Sequence, residues 1–161
     1  MQIPAGWTIL SSKEVNRHED KGKELLTETI GEDIGFEGLK NLLHFQKDRF
    51  NIFQSTAEPF TIEYEGEWSE NNQALKEVII ETYNNQGIKT KSTAIRKENI
   101  DGLTFEVYDI SLIDPKGKVV ITQTMYSSLI NGYDFGANMT YNSDENRDVM
   151  LNAWRNSKFK K

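Results

Sequence analysis

The 161-residue sequence contains no cysteine, only three prolines and only two histidines. Without cysteine there are no disulfides, no thiolate metal sites and no cysteine nucleophile. The compartment stays open, because exported proteins also do without it. No apolar run approaches the roughly 20 residues of a membrane span, and no signal peptide is visible. No repeat of solenoid length occurs, and no low-complexity tract. A basic excess is lacking too: the net charge of −6 argues against nucleic acid or an anionic membrane as partner, since both demand clustered Lys and Arg. The one basic cluster, Lys158, Lys160 and Lys161, is terminal and reads as a complement to the negative end of a last helix.

Motifs of nucleotide chemistry are also missing. There is no G-x-G-x-x-G and no G-x-x-x-x-G-K, and "GKEL" at Gly22 falls inside a helix. No G-x-S-x-G elbow exists, and two histidines suggest no Ser-His-Asp set. His18, among charges on a helix, and His44, in a strand, have no metal-ligand spacing; solvated surface is the reading for both.

What is present is an ordinary globular pattern, 37% hydrophobic and 27% charged. A single domain over residues 1–161 is expected, burying roughly 70% of the unfolded chain's surface.

"IPAGWTIL" is a short β-prone entry, confined to an edge by Pro4 and Gly6. Ser11 and Glu14 then form a capping box, with Leu10 and Val15 at the hydrophobic-staple positions. Val15, Gly22, Leu25, Leu26 and Thr29 mark one face of the helix that follows, and Gly31 ends it. Phe36, Leu39, Asn41, Leu42 and Leu43 read as one more helical turn. Two strands follow around a tight turn at Lys47 to Arg49, with Leu43, Phe45, Phe50, Ile52 and Phe53 available for the core, and Glu58-Pro59 stops them.

Ser69 opens a second long helix with Leu75, Val78, Ile79, Thr82 and Tyr83 at helical spacing and Gly87 as terminator. The period then changes to 2. "IKTKSTAIRKENI", "LTFEVYDISLID", "KVVITQTMYSSLI" and "YDFGANMTY" read as four strands, joined by turns at Asp101-Gly102, Asp114 to Gly117 and Asn131-Gly132. Such short connections require an antiparallel meander. In "LTFEVYDISLID" the apolar alternation changes phase, which a β-bulge near Val107 and Tyr108 reconciles. A last helix runs from about Asp144 to Asn156.

The expected fold is therefore α+β: a largely antiparallel sheet of six to seven strands with two long helices and a C-terminal helix, in the order β-α-β-β-α-β-β-β-β-α.

"YNSDENRDV" places Asn142, Asp144, Asn146 and Asp148 at alternate positions, like the start of a calcium loop. Counted from Asn142, however, position 6 is Arg147 rather than glycine and position 12 is Ala153 rather than glutamate. The segment reads instead as a helix start capped by Asn142 or Ser143, with Val149, Met150, Ala153 and Trp154 as its buried face. Glu63, Glu65 and Glu67 share one side of an extended segment as a solvated edge. Asn138-Met139-Thr140 matches the glycosylation acceptor pattern, read as accidental on a strand. Among Trp7, Trp68 and Trp154, Trp68 in the polar "EGEWSENN" is the one tryptophan proposed for a binding role.

Three local patterns carry a resemblance. "IPAGW" looks like a hydrophobic-Pro-x-Gly-Trp entry strand, "NGYDFGANMTY" like a closing strand, and the last helix ends in "NSKF", a Ser-x-Phe terminus. Together with the element order they resemble the PsbP-like fold. That fold is shared by a subunit of the photosynthetic oxygen-evolving complex, a Ran-binding nuclear import factor and small bacterial envelope or secretion-associated proteins, including DcrB-like ones. The resemblance implies a non-catalytic domain that binds or escorts another protein, with no cofactor and no shared set of functional residues. The long charged helix after the entry strand departs from that pattern. An envelope or exported protein is the expectation, since a start almost directly on "QIPAGWTIL" is what remains when a leader and a lipid tether are trimmed. The alternatives are a small-ligand binder or enzyme with a pocket between sheet and helices, or a cytoplasmic secretion chaperone, which predicts a homodimer with an apolar groove.

Overall fold

The computed structural model describes residues 1–30 and 38–160. Its elements are β1 (Thr8–Ile9), α1 (Ser12–Ile30), β2 (Lys40–Asp48), β3 (Asn51–Pro59), α2 (Glu67–Asn85), β4 (Lys89–Ser92), β5 (Arg96–Ile100), β6 (Leu103–Ile113), β7 (Val119–Ile130), β8 (Tyr133–Tyr141) and α3 (Asp144–Arg155). The strands form one eight-stranded antiparallel sheet in the order β1-β2-β3-β8-β7-β6-β4, with β5 also paired to β6. The fold is α+β, as the alternating periods imply. The strand count exceeds expectation because "IKTKSTAIRKENI" is two strands. Ser92 lies opposite Ile110 and Arg96 opposite Val107, so this chain takes one residue more than β6 over the same span. Thr93 anchors the break: it exchanges backbone and hydroxyl hydrogen bonds with Asp109, and its carbonyl accepts from the Lys76 ammonium.

Local signals hold where their partners lie within a turn. The Ser11 amide donates to Glu14 Oε2 at 2.9 Å and the Glu14 amide reaches Ser11 Oγ at 3.4 Å, while Leu10 and Val15 are both buried. Ser143 caps α3, its Oγ accepting from the Asn146 amide at 3.3 Å, with Asp144 and Glu145 in the first turn. Asn142 instead ties strand ends together, its Oδ1 accepting from Asn51 Nδ2 at 3.0 Å. Asp101-Gly102 and Asn131-Gly132 are two-residue turns with positive φ at both positions, the type I′ geometry that suits the twist of a hairpin. Gly31, Phe36 and Lys161 lie outside the described residues, as do the side chains of His18 and Leu26 and the burial of Gly22.

Several expectations fail for non-local reasons. Leu39 to Leu43 are not a helical turn: β2 pairs with β3 from Lys40↔Ala57 onward, with a register shift that leaves Leu42 exposed. The β2–β3 turn falls at Arg49-Phe50, because the Asp48 carboxylate accepts from the amides of Phe50 and Asn51. His44 is buried rather than solvated, on a central position of β2 opposite Gln54, with its carbonyl accepting from the Leu10 amide. Lys158 reaches the Asp101 carboxylate at 3.0 Å instead of a helix end, and the Phe159 amide donates to the same carboxylate.

β6 itself is not bulged at Val107 and Tyr108; its register with β7 runs unbroken from Glu106 to Leu112. The apolar phase changes because both faces of the sheet are covered. Val107 is 0% exposed on one face and Tyr108 is 1% exposed on the other. Cross-strand partners share a face. Phe45, Phe53, Met139, Tyr126 and Val107 therefore lie on the α3 side, where Trp154 sits within 5.3 to 6.1 Å, centroid to centroid, of Phe53, Phe105, Tyr126, Phe135 and Phe159. Glu58, Glu106, Tyr108, Gln123 and Asp134 point to the opposite side, under α2.

Candidate functional site

The α2 side of the sheet is held by polar contacts. Trp68 Nε1 donates to Asp134 Oδ1 at 2.9 Å; Ser69 Oγ and Asn72 Nδ2 donate to the two oxygens of Glu106 at 2.7 and 2.8 Å; Tyr83 donates to Gln123 at 3.0 Å. The buried residues of α2 are Asn72, Lys76 and Thr82, while apolar Leu75 is 40% exposed. The Lys76 ammonium lies 5.7 Å from the Tyr108 ring centre, a cation–π distance. Thr82 meets Thr29 of α1 at 2.8 Å.

The entrance to α2 differs from expectation. The helix starts at Glu67, before Ser69, because Gly66 takes the left-handed conformation, φ 92°, that lets the chain turn into it. Ser69 lies inside the helix and serves the sheet. Glu63, Glu65 and Glu67 accordingly do not line an extended edge: the first two are on a loop and the third is in the first helical turn, accepting from the Glu63 amide at 2.6 Å. The loop's other end is tied by the Phe60 amide to the Gly132 carbonyl at 2.8 Å. Between these ties stand Ile62 and Tyr64, 50% and 52% exposed. The Tyr64 hydroxyl donates to Glu70 at 2.8 Å; that bond, and the carboxylates of Glu70, Glu67 and Glu63, push its pKa above the usual tyrosine range.

Beneath the loop, Glu58 and Asp134 are cross-strand partners. Burial raises both carboxyls above their ordinary range. Asp134 raises Glu58 further, and the Trp68 N–H offsets part of the rise at Asp134. Burial and Asp134 likewise push the Tyr108 phenol upward. Glu58 accepts no hydrogen bond from any described residue. From Phe50 to Leu75 the chain carries five glutamates and no lysine or arginine.

Chemically, this corner offers two exposed apolar side chains ringed by carboxylates, on a rigidly anchored loop. A shallow cleft of about 210 Å³ lies elsewhere, lined by Val119 to Thr122 and Tyr141 to Asp144, rather than between the sheet and α2. Among the described residues no set of three His, Cys, Asp or Glu is placed to hold a metal ion, and no helix is long and apolar enough to cross a membrane.

Of the residues singled out in the sequence, Trp68 belongs to this corner, half-buried, with its ring nitrogen engaged. Trp7 packs edge-on against Phe45, and Trp154 fills the core, so neither is nearby. Ile62, Tyr64, Glu58 and Asp134 escaped sequence reasoning. The signal for the first three was the cation-free, glutamate-rich run; Asp134 looked like any polar residue of an alternating strand.

No protein-family model and no curated protein matches the sequence. Among solved structures, the solution structure of cyanobacterial PsbP (CyanoP) from Synechocystis superposes with a TM-score of 0.56 at 8% identity, covering 94% of this chain and 78% of that one. The chain thus has the PsbP-like fold that its entry strand, closing strand and terminal helix suggest; at this identity the likeness is one of fold.

Proposed function

We propose that residues 1–161 form one non-catalytic accessory domain that binds another protein through the β3–α2 corner. The observation that carries this reading is the pair Ile62 and Tyr64, half-exposed on a loop hydrogen-bonded at both ends. A pre-ordered apolar contact loses little conformational entropy on docking. The PsbP-like fold supports the accessory role, and it favours the bacterial envelope over the cytoplasm. A lipid tether upstream fits the same picture, and the codons preceding Met1 test it directly.

The docking role is tested by placing a photo-crosslinking amino acid at Ile62 or at Val120, another exposed apolar position. Ile62 should yield one defined adduct, whose purified partner then binds this protein in calorimetry, while Val120 yields none. Equal labelling at the two positions, or none at either, would remove the proposal.

A further inference from the structure

The chemistry of the corner specifies its partner more closely, given the docking reading above on which this step rests. Glu58 and Asp134 face each other on paired strands, and among the described residues the one side-chain donor to either carboxylate is neutral, the Trp68 indole on Asp134. Of the other charged groups on that side of the sheet, Lys97 stands exposed on β5 opposite Glu106, while Glu106 and Lys76 are engaged. Glu106 accepts from Ser69 and Asn72, and Lys76 donates to the Thr93 carbonyl and lies over Tyr108. Lys40 stacks on Tyr133, whose strand position faces the opposite side. Glu63, Glu65, Glu67 and Glu70 add negative charge around Ile62 and Tyr64.

We infer that the corner takes an extended segment of a partner protein bearing lysine or arginine beside an apolar side chain, the cation against Glu58 and Asp134 and the apolar group on Ile62 and Tyr64. A cation there replaces like-charge repulsion with attraction, and complementary charge raises the rate of encounter as well as the specificity. A metal ion fits less well, because no described triad of ligands surrounds the spot. A polyamine would neutralise the carboxylates yet leave both apolar side chains in water.

The test is an NMR titration of the intact ¹⁵N-labelled protein with three short synthetic peptides, alternating lysine–leucine, serine–leucine and glutamate–leucine. The lysine–leucine peptide should shift the amides of residues 58, 60–70 and 132–134. Its affinity should fall as salt is raised, and drop about tenfold in the double variant Glu58→Gln/Glu63→Gln. The same loss of charge on α1, Glu24→Gln/Glu28→Gln, should change affinity less than twofold, and dispersed spectra verify that each variant folds. Equal weakening by both double variants would show mere attraction to net charge and overturn the inference. If the serine–leucine peptide bound the corner as tightly, the cation preference would fall while the docking reading stood. If no peptide perturbed these amides, both would fall.

Discussion

The two faces of the sheet are built on different physical principles. Under α3 lies a dry aromatic cluster: Phe45, Phe53, Phe105, Tyr126 and Met139 are fully buried around Trp154 and Met150, and the Trp154 N–H has no hydrogen-bond acceptor there. Under α2 the contacts are directional, from Trp68, Ser69, Asn72 and Tyr83 to sheet residues and from Lys76 to Thr93 between β4 and β5, and the helix leaves Leu75 in solvent. Hydrophobic burial scales with area and is indifferent to small rotations, whereas hydrogen bonds fix orientation. The first face therefore supplies most of the stability. The second sets where α2 begins and so how the Ile62–Tyr64 loop is presented.

The largest expected effect breaks the dry face: Trp154→Ala should destabilise by about 3–5 kcal/mol in chemical denaturation, from lost burial and a cavity among five rings. On the polar face, Trp68→Phe keeps most of the ring and removes the donor to Asp134, and should cost about 1 kcal/mol at neutral pH. The sign of its pH dependence follows from burial, which raises the Asp134 pKa, and from the Trp68 N–H, which lowers it. Without that N–H the folded-state pKa rises further, so the penalty is full above it and shrinks as pH falls through it and the carboxyl becomes neutral. A variant whose penalty grew in acid would contradict this assignment.

Glu58→Gln should act in the opposite sense. A carboxyl whose folded pKa is raised contributes stability at low pH that is lost as pH rises through that pKa, so at neutral pH the charge is a liability. Partial exposure screens it, and the gain on neutralisation should be at most about 0.5 kcal/mol, vanishing below the carboxylate range. Smallest of all, Tyr64→Ser should leave the thermal melting midpoint essentially unchanged, because half of the side chain is already in water. An effect as large as that of Trp68→Phe would mean that the loop supports the fold rather than a partner.

The capping box at Ser11 and Glu14, the Ser143 cap that replaced a calcium loop, the type I′ turns and the Gly87 terminator were all legible in the sequence, because each involves residues within about one turn of one another. The order of strands and helices followed from these boundaries and the change of period, and with it the α+β class. Trp68 was legible only in part, as a large aromatic in polar surroundings. Its engagement with Asp134 spans 66 residues and leaves no trace in local pattern.

Sequence by itself, then, determined the main elements and their antiparallel succession. Tertiary structure decided what each face of the sheet meets. The phase change in β6 looks like a bulge when one covered face is assumed, and becomes ordinary alternation once α2 and α3 cover opposite sides. Burial of His44, the early start of α2 and the meeting of Glu58 with Asp134 were likewise fixed by layers brought together from distant parts of the chain. Side-chain alternation along a strand specifies two faces, but only the packed layers determine which of them is dry.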